Sequence, residues 1–276
     1  MARWTQLLFA LLLAAACLPA QPERTAWDVL KPGLADTNPL TRRQAVTATG
    51  SVGLDPEAIR LVEAALKDND SLIRATAAAE LGEMRSRQSF PALKAALDDP
   101  AGEVGFAAAK ALWDMGDKTG RGFIEDVVAG QQNATDGGVK GALHRANRLR
   151  YDPKAMAVLS AKEASGALLG PFNIGVIAAE QVLKNGAVAV RMQALNLLAE
   201  ECDAQTFKLL EAGATDHKTW AEKAAAAKAL GRCGNPEAIP KLEENLSNSN
   251  SAVRFMSAAA IIRLSRKPGA SISAAR

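Results

Sequence analysis

Residues 54–84 read LDPEAIRLVEAALKDNDSLIRATAAAELGEM, and residues 234–264 read GNPEAIPKLEENLSNSNSAVRFMSAAAIIRL. Aligned without a gap, the two stretches share ten of 31 residues, including Arg74 with Arg254. Such self-similarity indicates an internal repeat, which is typical of proteins that stack one small structural unit many times. The doubled stretch therefore predicts a fold built from repeated units.

The repeat advances by 31 or 32 residues, a step seen at residues that share one place in the unit. These residues are Arg43, Arg74 and Gly105 in the first half and Arg191, Lys223 and Arg254 in the second half. The spacing of 86 residues between Gly105 and Arg191 fits two stretched units. The middle of the array is therefore degenerate.

Each unit is predicted to contain two helices. Asp70 or Ser71 can cap a first helix, whose apolar residues recur every fourth position until Gly82 ends it. Ser89 can cap a second helix, which ends at residues 98–100, Asp-Asp-Pro. Because one such pair cannot bury its own apolar faces, copies must stack side by side into a right-handed superhelical solenoid.

The composition agrees with closely packed helices. Hydrophobic residues make up 48% of the chain, but aromatic residues make up only 4%. Small side chains allow helices to approach closely. Clusters of alanine recur at 77–79, 107–109, 224–227 and 258–260.

Residues 99–112, DPAGEVGFAAAKAL, resemble the signature of HEAT repeats, in particular the short variety similar to phycobilisome lyases. The resemblance implies an all-α fold, an α-α superhelix of about six to seven two-helix repeats that is irregular in the middle. We expect regular repeats over 38–130 and 187–267 and degenerate repeats over 131–186. Residues 21–37 are expected to form an N-terminal capping segment, and residues 268–276 a disordered tail.

The same resemblance implies a structural ladder of arginines that bond carboxylates or carbonyls in the turns between repeats. The predicted ladder residues are Arg43, Arg74, Arg191 and Arg254. Gly105 interrupts this series, since a glycine follows Val104 where the family has arginine. The alternative role for an arginine row is to bind an acidic ligand.

The N-terminus, MARWTQLLFALLLAAACLPAQ, has the pattern of a secretory signal peptide over residues 1–20. Arg3 lies in a short basic start, residues 7–18 are apolar, and small residues precede Gln21. The apolar run is shorter than the roughly 20 residues of a membrane-spanning helix, so we expect cleavage and export. The alternative is a lipid-anchored form, because residues 13–17 resemble a bacterial lipoprotein processing site with Cys17 as its cysteine.

Cys202 and Cys233 would remain after cleavage, and they lie one repeat step of 31 residues apart. In an exported protein they can form a disulfide. Stacked helices lie about 8–10 Å apart, however, whereas a disulfide needs Cα atoms closer than about 7 Å. Two buried free thiols are the alternative that this spacing favours.

Residues suited to catalysis or metal binding are scarce. His144 and His217 are the two histidines, and nothing in the sequence pairs them. No Gly-rich phosphate loop after a strand, nucleophile elbow, CxxC or HExxH motif occurs. We therefore expect no catalytic site, no metal and no cofactor, and we expect Trp113 and Trp220 to belong to the core.

Recognition is the function that these observations favour. The net charge of +3 comes from interspersed charges, so we expect no nucleic-acid partner, and we expect no transmembrane span in the mature chain. The predicted function is an exported, non-enzymatic scaffold that binds a protein or envelope component. Contacts are expected on exposed sides of second helices at 57–67, 89–98 and 237–246. The alternatives are a lipid-anchored envelope assembly protein and a lyase-type enzyme.

An apolar loop in the degenerate middle offers a second possible contact for a partner. Its large apolar residues are Leu168, Leu169, Phe172 and Ile174. Either this segment folds over the core of the solenoid, or it forms an exposed contact for the partner.

Overall fold

The computed structural model describes residues 21–129, 186–216 and 219–266. These ranges contain α-helices and short 3₁₀-helices, and no strand occurs within them. In the first half the helices are α1 (Pro22–Leu34), α2 (Pro39–Ser51), α3 (Pro56–Ala65), α4 (Ser71–Glu83), α5 (Phe90–Ala96), α6 (Gly102–Asp114) and α7 (Arg121–Ala129). In the second half they are α8 (Gly186–Leu198), α9 (Ala204–Asp216), α10 (Trp220–Cys233), α11 (Ile239–Glu244) and α12 (Ser251–Ser265).

Four first helices begin where the sequence supplies a side chain for the free N–H groups of a first turn, whereas α6 begins after Ala101 without one. Asn38, Asp70 and Asn250 accept hydrogen bonds from backbone N–H groups at the starts of α2, α4 and α12. Thr219 does the same at the start of α10. Each such cap stabilises its helix by about 1 kcal/mol. Of the two predicted capping residues for α4, Asp70 is the one observed.

First helices (α2, α4, α6, α8, α10 and α12) and second helices (α1, α3, α5, α7, α9 and α11) alternate along the chain. Within each half, consecutive first helices pack against one another. Second helix α3 packs on both α2 and α4, so it covers the groove between them. The predicted all-α solenoid of two-helix units is confirmed.

The last described helix, α12, contacts the first two described helices, α1 and α2, and this contact is here called the terminal junction. At this junction α1 packs on both α12 and α2, as α3 packs on both α2 and α4. The first helices therefore stack in the order α8, α10, α12, α2, α4, α6. Residues 21–37 were expected to cap an open end, but α1 instead completes the unit that α12 begins.

Both packing and charge hold the terminal junction. The ring of Phe255 on α12 lies so close to Gly33 on α1 that a Cβ at Gly33 would be 2.4 Å from the ring Cζ atom. Arg266, which follows α12, forms ion pairs with Asp55 and with Glu23. The two ends of the chain are thus joined through side chains that are far apart in the sequence.

Glycines allow consecutive first helices to approach closely. A Cβ added at Gly82 in α4 would lie 2.8 Å from the Cβ of Ala111 in α6. A Cβ added at Gly231 in α10 would lie 3.0 Å from the Cβ of Ala260 in α12. The same pairing of glycine with alanine thus recurs in both halves of the solenoid.

The core is built largely from small side chains. In α10 the residues 224–227, all alanine, are fully buried. Helix α12 is buried on most of its surface, including Met256 and residues 258–262. Close packing of alanine-rich helices accounts for the low aromatic content of the chain.

Candidate partner-binding surface

An arginine at the start of α4 ties its own unit to the next. Nη1 of Arg74 donates to the carbonyl oxygens of Asp68 and Asn69 at 2.8 and 3.3 Å. Nε and Nη2 of Arg74 donate to the two carboxylate oxygens of Asp99 at 2.8 and 2.9 Å. The hydrogen bond to Asp99 raises the pKa of Arg74. Arg74 therefore has the inter-repeat geometry that the ladder hypothesis describes.

Arg42 has the same geometry one unit earlier. Its Nη1 donates to the carbonyls of Asp36 and Thr37 at 2.9 and 3.2 Å, and its Nε and Nη2 each lie 2.9 Å from an oxygen of Asp68. This corrects the prediction of Arg43 as the ladder residue. Nε of Arg43 is buried without a hydrogen-bond partner among the described residues, and burial lowers the pKa of Arg43.

The error at Arg43 arises from counting a fixed step of 31 residues. Arg42 and Arg74 lie 32 residues apart, and each lies four residues after the capping residue of its helix, Asn38 or Asp70. The position relative to the cap sets the direction of a side chain on a helix, whereas the step also includes turns of variable length. The capping residue was therefore the signal that could have identified Arg42.

At two other ladder positions, the residue or its partner differs from the pattern of Arg42 and Arg74. Arg191 on α8 pairs with Glu222 on α10, so this carboxylate comes from a helix rather than a turn. The hydroxyl of Thr219 also donates to Glu222, at 2.8 Å. Gly105 has the ladder position in α6, where a Cβ would lie 2.6 Å from the ring of Phe123. The glycine thus makes room for an aromatic ring.

The last ladder arginine, Arg254, is held by carbonyls alone. Its Nη1 donates to the carbonyl oxygens of Asn248 and Ser249 at 2.7 and 2.9 Å. Its side chain is half-buried at the start of α12.

The structure joins Cys202 and Cys233 in a disulfide, with Cα atoms 5.5 Å apart. Cys202 lies in the turn between α8 and α9, and Cys233 is the last residue of α10. The expectation of two free thiols rested on the distance between helix axes. That distance does not limit a cysteine in a turn, because a turn can approach a neighbouring helix more closely than another helix can.

The second helices present charged side chains on their exposed faces. The ranges predicted for partner contact, 57–67, 89–98 and 237–246, include α3, α5 and α11. Nζ of Lys31 lies 3.0 Å from a carboxylate oxygen of Glu57, and Arg60 lies 2.9 Å from the same carboxylate. Nζ of Lys94 lies 2.9 Å from Asp117 in the next unit. This surface is polar, and its ion pairs connect neighbouring units.

One aromatic residue departs from the predicted core. Trp113 is 41% exposed, and Nζ of Lys118 lies 3.3 Å from the centroid of its ring. Trp113 has the place in α6 that Gly82 has in α4, on the side that faces away from α4. Trp220, in contrast, packs partly buried against the core as predicted.

Glu80 is a buried carboxyl group that replaces the usual alanine between first helices. It is 2% exposed and stands opposite Gly50, and a Cβ at Gly50 would lie 2.7 Å from the Glu80 Cβ. Its Oε1 atom has no hydrogen-bond partner among the described residues. Burial raises the pKa of Glu80 to about 8, although the charge of Lys228 acts to lower it. The carboxyl group is therefore mostly protonated at neutral pH.

Other predicted residues fall outside the described ranges. They are Cys17, His144, His217, Leu168, Leu169, Phe172 and Ile174. Within residues 21–129, 186–216 and 219–266, no group of three His, Cys, Asp or Glu side chains is placed to hold a metal ion. No helix in this described part is both long and apolar enough to cross a membrane.

The family model for HEAT repeats matches residues 10–79, 60–143 and 178–263, more than half of the chain. No curated protein matches. Among solved structures, human deoxyhypusine hydroxylase in complex with glycerol is 19% identical over 87% of this chain and 96% of that one, with a TM-score of 0.32. With three matched segments and a described structure of stacked two-helix units, the chain belongs to the HEAT-repeat family.

Proposed function

We propose that this protein is an exported, non-enzymatic scaffold that binds a protein or envelope component through its solenoid surface. The observation that carries the proposal is the use of its arginines. Arg42, Arg74 and Arg191 all bond carboxylates of the neighbouring unit, so they hold the stack together. A solenoid built in this way presents a long surface relative to its mass, and such surfaces commonly serve recognition.

The polar faces of the second helices are the proposed contact surface. Arg60 on α3 and Lys94 on α5 are exposed on neighbouring second helices. Their charges are partly balanced by Glu57 and Asp117, which leaves a mixed polar surface suited to a protein partner. Complementary charges across such a surface favour a specific partner more than they add affinity.

The disulfide supports export. A Cys202–Cys233 bond persists in oxidising compartments, whereas cytosolic thiols are kept reduced. The apolar leader over residues 1–20 supports the same proposal from the sequence.

Capture of a partner tests the scaffold proposal. The tagged protein is cross-linked and purified from its own envelope fraction, alongside a double variant, Arg60→Glu with Lys94→Glu. A control variant, Lys110→Glu, changes an exposed lysine on the first helix α6. We expect recovery of the partner to fall about tenfold with the double variant, as expected when charges at a contact are reversed, and to persist with the control. Absence of any enriched partner, or loss with the control alone, would contradict the proposal.

The mass of the mature N-terminus tests the form in which the protein is exported. A chain that starts at Gln21 is expected from cleavage of the leader. A chain that starts at lipid-modified Cys17 would instead support the lipid-anchored assembly protein. A lyase-type enzyme would require activity in the purified protein, which neither of these forms predicts.

A further inference from the structure

Three arginines in the solenoid are held in the same way by the turn that precedes their helix. Nη1 of Arg254 bonds the carbonyls of Asn248 and Ser249, which lie six and five residues before it. Arg42 and Arg74 bond carbonyls at the same two offsets. The guanidinium of Arg254 is therefore fixed in the orientation that the other two use to bind a carboxylate.

The carboxylate-binding edge of Arg254, formed by Nε and Nη2, has no partner among the described residues. In Arg42 and Arg74, Nε and Nη2 lie 2.8 to 2.9 Å from the two oxygens of an aspartate. In the described part of the chain, Nε and Nη2 of Arg254 have no such partner. The guanidinium also lies near the buried ring of Phe255, with 5.7 Å between Cζ and the ring centroid. A guanidinium that is already oriented loses less entropy when a carboxylate binds.

The terminal junction explains why the chain does not fill this position itself. The helix stacked next to α12 is α2, and the turn before α2 carries Asp36. Asp36 accepts the N–H of Asn38 at 2.8 Å, as the ladder aspartates accept the N–H two residues further along. The junction places Ser251 against Gln44 at 2.5 Å, however, and it forms no ion pair between Asp36 and Arg254. Among the described residues, the guanidinium of Arg254 therefore lacks the carboxylate that Arg42 and Arg74 bind.

We propose that Arg254 is a binding site for an aspartate carboxylate presented by a turn of the partner protein. This inference rests on the proposed function and adds the site of recognition and its chemistry. The ligand class follows from the carboxylates that Arg42 and Arg74 bind, Asp68 and Asp99. Each of these aspartates lies in a turn, where it also accepts the N–H two residues further along. A partner turn of this kind would give Arg254 the bidentate pair that Arg42 and Arg74 have, the geometry in which arginine binds carboxylate best.

Nuclear magnetic resonance of the arginine side chains tests this site in the full processed protein. The probe is a peptide with blocked ends that carries residues 66–72 of this chain, LKDNDSL, which contain the Asp68 turn. We expect a saturable shift of the Arg254 Nε–Hε signal with a dissociation constant of about 1–10 mM, which corresponds to about 3–4 kcal/mol from two charge-assisted hydrogen bonds. The control peptide has Asp68→Asn and keeps the second aspartate. We expect it to bind at least about tenfold more weakly, because an amide offers one acceptor oxygen instead of two.

The variant Arg254→Lys keeps the positive charge but removes the planar guanidinium that can bind both carboxylate oxygens. We expect it to bind the Asp68 peptide as weakly as the wild type binds the control peptide. Equal binding of the two peptides by the wild type, or no shift at Arg254, would overturn the inference even if the variant failed to fold. Equal binding by Arg254→Lys would also overturn it. These results do not bear on capture of the partner, so the scaffold proposal fails only in the capture experiment.

Discussion

At the scale of residues, the ladder arginines Arg42, Arg74 and Arg191 form ion pairs that connect neighbouring units. Arg74 and Asp99 are 14% and 11% exposed, so solvent screens their interaction less than that of a surface pair. Arg74 also satisfies two carbonyls in the turn before α4. One side chain thus stabilises both a turn and an inter-repeat contact.

Replacing Arg74 by lysine is expected to lower the free energy of unfolding by about 1–3 kcal/mol, because lysine cannot reproduce the fork and leaves Asp99 poorly paired. Urea denaturation measures the effect. The matched control is Arg60→Lys, whose side chain is 65% exposed in its pair with Glu57. We expect the control to change stability by less than about 0.5 kcal/mol. If both variants lose the same free energy of unfolding, the pair of Arg74 with Asp99 does not stabilise the contact between units more than a surface pair does.

Glu80 is expected to make stability depend on pH. Its pKa in the folded protein is about 8, against an ordinary value of 4.5. Between these two pH values the unfolded chain releases the proton while the folded protein keeps it. The free energy of unfolding therefore falls as pH rises from about 4.5 to about 8, with a slope from this group of up to about 1.4 kcal/mol per pH unit.

Glu80→Gln is expected to remove this part of the pH dependence, because the amide does not titrate. Urea denaturation at pH 5, 6, 7 and 8 measures the slope. The control is Glu243→Gln, which changes an exposed carboxylate on α11, far from Glu80 in the stack. If wild type and Glu80→Gln lose stability equally between pH 5 and pH 8, Glu80 is already ionised in the folded protein and the prediction is wrong.

At the scale of elements, the units differ in how they are joined. The first half uses bidentate arginine pairs, whereas the junction of α8, α9 and α10 includes a disulfide. That covalent bond connects one turn to the end of a first helix one repeat step later. It restrains the unfolded chain over this segment as well as the folded one.

Reduction of the disulfide is expected to destabilise the segment from α8 to α10 by about 2–4 kcal/mol, since a loop of this length gains that much conformational freedom. Thermal unfolding with and without dithiothreitol measures the loss. The double variant Cys202→Ala with Cys233→Ala serves as the control, and dithiothreitol should leave its unfolding curve unchanged. A wild-type curve that does not respond to the reductant would contradict the prediction.

At the scale of the whole molecule, the terminal junction makes the N-terminal helix part of the C-terminal unit. Gly33→Ala would place a Cβ within 2.4 Å of the Phe255 ring, so α1 and α12 must separate or shift. We expect a loss of about 1–3 kcal/mol from overpacking. Hydrogen exchange should show reduced protection in α12 as well as in α1.

Gly122→Ala is the matched control for this substitution. It adds the same methyl group to helix α7 at a position where no described residue lies within 4 Å, so we expect a neutral or slightly stabilising change. Unchanged protection of α12 in Gly33→Ala would mean that the two ends do not depend on each other in solution.

The two-helix unit and the all-α fold could be predicted from the sequence, because they depend on local features. Caps such as Asp70 and the apolar stripe of α4 act within one helix, and the glycine-to-alanine contacts act between units adjacent in the chain. Such contacts recur at every step, so they leave a periodic pattern that can be recognised without a structure.

Three features are visible only in the tertiary structure. Helix α12 stacks on α1 and α2, and Trp113 is exposed. Arg42, rather than Arg43, bonds Asp68. The contact between Ser251 and Gln44 joins residues 207 positions apart, and it occurs once. A contact made once leaves no periodic mark in the sequence. The direction of the Arg42 side chain likewise depends on the length of one turn. A fixed repeat step does not record that length. The unit and its contacts with adjacent units thus follow from the sequence, whereas the stacking of α12 on α2 and the unpaired guanidinium edge of Arg254 came from long-range packing.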